Sequence, residues 1–268
     1  KETKCFLLGS LSISIFNPNF NENSFINILN KFRERFPILM EDFFNKNPDK
    51  ISDKEKINEL FNHSSTLTKS IQLGENLIKK IQENLELEKR DLYNITLFII
   101  KSLSINLLEL ESYDLFSEES FILILEALSQ INIDNTESNL IKEKIFQLAE
   151  EDIKILKLIK KNQTKRYGRQ VENKVSYSTI PGKSILVVGT NIRELETILE
   201  ALKDEDINIY THDEMIIAHT FPKFLEYKNL KGQYGQGLEN CLLDFGSFPG
   251  LFLWAGSSIN LSDEFSSI

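Results

Sequence analysis

The sequence predicts an α plus α/β protein. An N-terminal helical bundle is expected over residues 1–165 and a linker loop over 166–182. A Rossmann-like parallel-sheet α/β domain follows over 183–268, incomplete or truncated. Three observations predict this. Gly9, Gly74 and Gly168 are the three glycines before residue 180, whereas eight fall between Gly182 and Gly256; helices tolerate glycine poorly, and tight strand-to-helix turns need it. Apolar residues in the first half recur at gaps of 1, 3 and 4, the helical period. After residue 183, short apolar runs alternate with a helical stretch, which is the order of a βαβ unit.

In chain order, Ser52-Asp53-Lys54-Glu55 is a capping box ahead of Ile57, Leu60 and Phe61. Ile71, Leu77, Ile78, Ile81 and Leu85 follow at helical spacing. Asp91 is expected to open a helix carrying Leu92, Ile95, Ile99, Leu103, Leu107 and Leu110. Ser117 can cap the next, with Phe121, Ile124, Leu125 and Leu128 inward. Thr136 or Ser138 starts another, running through Leu148, Ile153, Leu156 and Ile159. In the second half, Ser184–Val188 is an apolar run ending at Gly189, the mark of a buried parallel strand. Ile192–Leu202 is helical in period, and Ile207–Tyr210 and Leu251–Ala255 are further strands. Ligands of such sheets gather at the carboxyl ends of the strands. Those ends are Gly189-Thr190, Thr211-His212 and Gly256-Ser257-Ser258.

The chain has 268 residues, 41% hydrophobic and 26% charged, the balance of a soluble globular protein. Its longest apolar stretch, Leu97–Leu110, is interrupted by Lys101, Ser102, Ser104 and Asn106, so a helix packed in protein explains it better than a membrane span. The net charge of −9 argues against DNA as a partner. The basic stretch Lys154–Arg169 is the place to look for RNA, although a solvated helix face is its simpler reading. Cys5 and Cys241 make neither a disulfide framework nor a C-x-x-C motif. A reducing compartment is compatible with this, either cytoplasm or an organelle matrix such as the mitochondrion.

Several segments resemble the hybrid-cluster (prismane) protein family, known for hydroxylamine reduction. Thr211-His212-Asp213-Glu214-Met215-Ile216-Ile217-Ala218-His219-Thr220-Phe221-Pro222-Lys223 is similar to the family's Thr-His-Gly-Glu-Met-Leu-Pro-Ala-His-Gly-Tyr-Pro-Lys. Gly232-Gln233-Tyr234-Gly235, then Phe245 and Phe248-Pro249-Gly250, follow another family pattern. Tyr167-Gly168 through Val175-Ser176 resembles the loop into the family's first α/β domain, and Phe16-Asn17-Pro18-Asn19-Phe20 a segment before a helix. The resemblance implies a hybrid iron–sulfur–oxygen cluster, with three of its ligands at the positions of Thr190, Glu214 and Ser258. Glu214 alone keeps the family's ligand type; a His and a Cys are replaced by Thr190 and Ser258. Imidazole and thiolate are good iron ligands, and neutral hydroxyls are poor substitutes. The family's N-terminal four-cysteine segment has no counterpart either.

The expectation is therefore a cluster-less, non-catalytic scaffold with protein partners and no cofactor. The alternative is a hydroxylamine reductase-type iron–sulfur oxidoreductase completed by residues outside this chain. Glu214, His212 and His219, spaced two, five and seven apart, are a residual metal-ligand candidate that matches no zinc motif. Gly232–Gly237 is neither a dinucleotide fingerprint nor a Walker loop. Ser257-Ser258 lacks the surroundings of an activated nucleophile.

Overall fold

A computed structural model describes residues 2–16, 22–48, 66–131, 137–235 and 240–255. Among the described residues six helices come first: α1 (Glu2–Phe16), α2 (Glu22–Lys46), α3 (Leu67–Asn84), α4 (Leu87–Ser112), α5 (Glu118–Ile131) and α6 (Ser138–Tyr167). The α/β part follows: β1 (Lys183–Gly189), α7 (Ile192–Ala201), β2 (Ile207–His212), a 3-10 helix (Asp213–Thr220), α8 (Pro222–Leu225), β3 (Leu230–Gln233), α9 (Cys241–Ser247) and β4 (Leu251–Ala255).

The helical first half and the parallel α/β second half are as the sequence predicts. Helix α4 begins at Leu87, one turn before Asp91. The Ser52–Glu55 capping box, Thr136 and the segment 17–20 lie outside the described residues. Apolar spacing did not single out α1 or α2, and α2 was expected only through the resemblance of Phe16–Phe20 to a segment before a helix. Their signals are weak because α1 is apolar nearly all round and α2 carries Pro37 in its interior. Strand β3 was also missed, since Leu-Lys-Gly-Gln has no β-branched residue and contains glycine.

The chain divides into two compact units. One comprises residues 18–99 and 125–146. Within it α2 packs on α3, and Phe44, Leu92 and Ala127 are buried. Ion pairs run from Lys142 to Glu88 (2.6 Å) and from Lys144 to Glu126 (3.2 Å).

The other unit comprises residues 1–17, 100–124 and 147–268. Leu103, Leu107 and Leu110 of α4 and Leu148, Ile155 and Ile159 of α6 are buried in it. The polar residues that interrupt the apolar stretch of α4 have specific partners. Ser102 Oγ and Asn106 Nδ2, one turn apart, both donate to the Asp152 carboxylate of α6, at 2.9 and 2.7 Å. Ser104 Oγ donates to Ile100 O (2.7 Å). No helix among the described residues is long and apolar enough to cross a membrane.

The sheet of this unit is parallel throughout, in the order β3-β2-β1-β4. Strand pleating sends alternate side chains to opposite faces. Ile185, Val187 and Ile209 pack with Ile192, Leu195 and Leu199 of α7. Leu186, Val188 and Tyr210 pack with Phe245 and Phe248 at α9. With a helix on each face, β1 is buried almost throughout, which explains its continuous apolar run. Gly189 ends it at φ 142, and a Cβ there would sit 1.9 Å from Ala255 O. That oxygen accepts from Thr190 N and Asn191 N (3.2 and 3.4 Å), which joins the β1 turn to the end of β4.

Asp152→Ala should lower the unfolding free energy by about 2 kcal/mol, because it leaves two half-buried α4 donors without their charged acceptor. Urea unfolding followed by circular dichroism measures this; an unchanged midpoint would show that the α4–α6 bonds contribute nothing.

Candidate functional site

The carboxyl ends of β1 and β2 hold most of the residues singled out by sequence. Val188 is in register with His212. Thr190 and Glu214 each lie two residues beyond that pair, so their backbones leave adjacent strand ends at the same level. Thr190 is half-buried and Glu214 is exposed, in the first turn of the 3-10 helix. Ser258 lies outside the described residues.

The chain turns out of β2 through Asp213, at φ 59. L-residues other than Asn and Asp seldom adopt this left-handed conformation. The resembled motif has glycine at this position, and aspartate is one of the few side chains that can stand in for it.

Thr211 and His212 point to opposite faces of the sheet, and each joins a separate polar group. On the first face, Gln233 Nε2 donates to Asp213 O (3.0 Å), which orients its amide so that Oε1 meets the Thr211 hydroxyl at 2.5 Å. The hydroxyl has one proton, committed to Gln233. Its oxygen therefore accepts from His219 Nε2–H at 2.8 Å, which fixes the His219 tautomer. Thr211, His219 and Gln233 are all buried. Burial pushes the His219 imidazole down from 6.5 to about 4, so it is neutral at pH 7. The loop after α6 pins the same 3-10 helix from outside: Asn173 Nδ2 donates to His219 O (3.0 Å) and Val171 N to Thr220 O (2.8 Å).

On the opposite face, His212 is wholly buried, its ring 4.9 Å from that of Phe245. Its Nε2 lies 3.1 Å from Asp244 Oδ2, while Nδ1 is buried without a hydrogen-bond partner. Gly235, at φ 76, lies against this pair; a Cβ there would meet Asp244 Oδ2 at 2.2 Å.

His212 and His219 are thus engaged on opposite faces, and Glu214 is exposed. Among the described residues no group of three or more His, Cys, Asp or Glu side chains could hold a metal ion. At the cluster-ligand positions described, Thr190 offers a hydroxyl and Glu214 a solvent-facing hard carboxylate. Glu214 keeps the carboxylate that the resemblance assigns to the cluster, whereas the neutral Thr190 hydroxyl is a poor iron donor.

A separate charged group holds the outer face. Glu196 of α7, buried, accepts from Arg166 Nε at 2.7 Å and from Lys223 Nζ. Burial opposes its ionisation, but the bonds from Lys223 and Arg166 outweigh it and hold the carboxyl below its usual range. Other members of the basic stretch also have partners: Lys154 with Glu151 (2.8 Å) and Lys160 with Gln170.

Sequence reasoning missed Asp244, Gln233 and Glu196. Gln233 stood within the quoted Gly-Gln-Tyr-Gly pattern, but nothing local to it shows that it reaches back 22 residues to Thr211.

The model of the Prismane/CO dehydrogenase family matches residues 38–255. The chain belongs to this family. A protein named hydroxylamine reductase, from Gloeothece citriformis, is 27% identical over 257 residues, 92% of this chain and 45% of its own length. Proteins of the same name from Acidiphilium cryptum and Escherichia coli are 37% and 30% identical over 117 and 121 residues. Those matches cover 44% and 45% of this chain and 21% and 22% of the relatives. The chain thus spans less than half the length of these relatives.

The depressed His219 value carries a sign for stability. Unfolding exposes an imidazole that binds a proton below about pH 6.5, whereas the folded ring resists protonation until about pH 4. Stability is full above 6.5 and falls by up to about 3 kcal/mol as pH drops to 4. Urea midpoints of the wild type and His219→Gln across this range test it: the variant should lose this component of the slope, and identical slopes would contradict the assignment.

Proposed function

We propose that this prismane-family chain is a non-catalytic scaffold that acts as a structural or interaction subunit, in a larger assembly, without the family's cluster. The observation that carries this reading is the chemistry at the strand ends. Where cluster ligands are expected, the sequence has Thr190 and Ser258 hydroxyls. The two histidines nearby are taken up by Thr211 and Asp244. On the Thr211 face the polar groups satisfy one another within the fold. Folds outlast the chemistry they host, so keeping the framework does not require keeping the reaction. Exposed apolar side chains such as Phe98 and Phe146, 65% and 70% accessible, support contact with protein partners.

A second reading, a hydroxylamine reductase-type oxidoreductase, draws support from Glu214. This carboxylate keeps the family's ligand type, stands open to solvent, and could meet iron ligands supplied from outside this chain.

Iron and acid-labile sulfide content, with a visible spectrum, on anaerobically purified native protein separates the two. The scaffold reading expects a colourless, iron-free protein that co-purifies with fixed partners. Several irons per chain, lost together with hydroxylamine reduction in Glu214→Ala, would overturn it in favour of the oxidoreductase.

A further inference from the structure

Away from the strand ends, a cleft of about 260 Å³ opens where the end of α6, the α4–α5 turn and the start of α7 meet. Tyr113, Asp114, Asn162, Lys165, Arg166 and Arg193 line it. Three of the six are permanent cations, against one carboxylate.

The Arg193 guanidinium is under-used. Its Nη1 is shut off from solvent and has no hydrogen-bond partner. Its Nη2 lies 3.6 Å from Asp114 Oδ2, too long for a hydrogen bond, and the Asp114 side chain is 83% exposed. A charged donor that has lost water and gained no acceptor is costly; the rest of the guanidinium is within reach of an anion in the cleft, the Arg193 side chain being 31% accessible. Lys165 has no partner among the described residues. Arg166 uses Nε on Glu196, whose charge is shared with Lys223, so Glu196 does not neutralise the cleft. Arg193 is also the second residue of the ten-residue α7, capped by Asn191, and the positive end of the helix dipole adds to the same field.

We propose that this cleft is a binding site for the phosphate group of a small phosphate monoester. The dianion matches a surplus of cations, and guanidinium forks suit its oxygens geometrically. The volume of about 260 Å³ holds a phosphoryl group together with a small organic remainder, and a chain of net charge −9 is poorly suited to a polyanion. Asp114, exposed on the rim, swings aside as the anion takes its place beside Arg193. The site is independent of the scaffold reading and of the iron content of the protein.

Isothermal titration with inorganic phosphate, in a phosphate-free buffer of low ionic strength, tests it. Saturable one-to-one binding is expected. It should weaken at least tenfold in Arg193→Gln and several-fold in Lys165→Gln. It should be unchanged in Lys203→Gln, whose lysine pairs with Glu200 outside the cleft. Circular dichroism confirms that Arg193→Gln folds, and the exposed position of Lys165 keeps the comparison valid if it does not. Absence of saturable heat, or equal affinity in all three variants, would overturn the proposal. So would tighter binding of an RNA oligomer without a terminal phosphate through Arg193 and Lys165.

Discussion

The Thr211 hydroxyl has one proton to give, and the carboxyl edge of the sheet is organised around where that proton goes. It is held by Gln233, itself anchored on Asp213 O, and this leaves the Thr211 oxygen to receive His219. Three backbone elements are tied by that one side chain: the end of β2, the 3-10 helix that follows it and β3. Because the bonds are buried, each would leave an unsatisfied group behind if broken, so they act as a set. The left-handed Asp213 is the geometric condition for the arrangement, since it turns the chain sharply enough for His219 to come back over Thr211. On the other face, Asp244 and Phe245 hold His212 in the same way.

The fold was legible where burial writes a period into the sequence. Ile185, Val187 and Leu186, Val188 face different helices, so both faces of β1 demand apolar residues and the strand shows as an unbroken run. Gly189 marked its end because only a residue without Cβ fits under Ala255 O. Helix α4 was legible despite Ser102 and Asn106, although their partner Asp152, some fifty residues away, was not. Strand β3 escaped because its backbone ladder, and not its side chains, places it at the edge. The candidate site was legible as a location, the strand ends, because strand direction alone sets it. Its internal wiring was not, because each bond joins residues that are distant in sequence and of types that bond equally well to water.

The family kinship and the local chemistry point in different directions, and the physical distinction is between framework and donor. Backbone-shaping positions persist: Gly189, Gly235, and an aspartate able to take the turn at 213. Of the positions that the resemblance assigns to donors, the sequence has Glu214 and the hydroxyls of Thr190 and Ser258. A strand-end loop built around a metal draws much of its order from ligation, whereas here the polar side chains find one another. The net result is that, although His212 Nδ1 stays without a partner, the hydrogen bonds of the Thr211–Gln233–His219 group close within the protein.

That self-sufficiency is the central claim, and amide hydrogen exchange over residues 207–233 tests it most directly. The comparison is between iron-free protein and protein incubated anaerobically with ferrous iron and sulfide. The account predicts that the 3-10 helix segment of the iron-free protein is as protected as β1, with no change on incubation. Rapid exchange there in the iron-free protein, slowed by iron and sulfide, would contradict it and show that this edge still depends on a cluster.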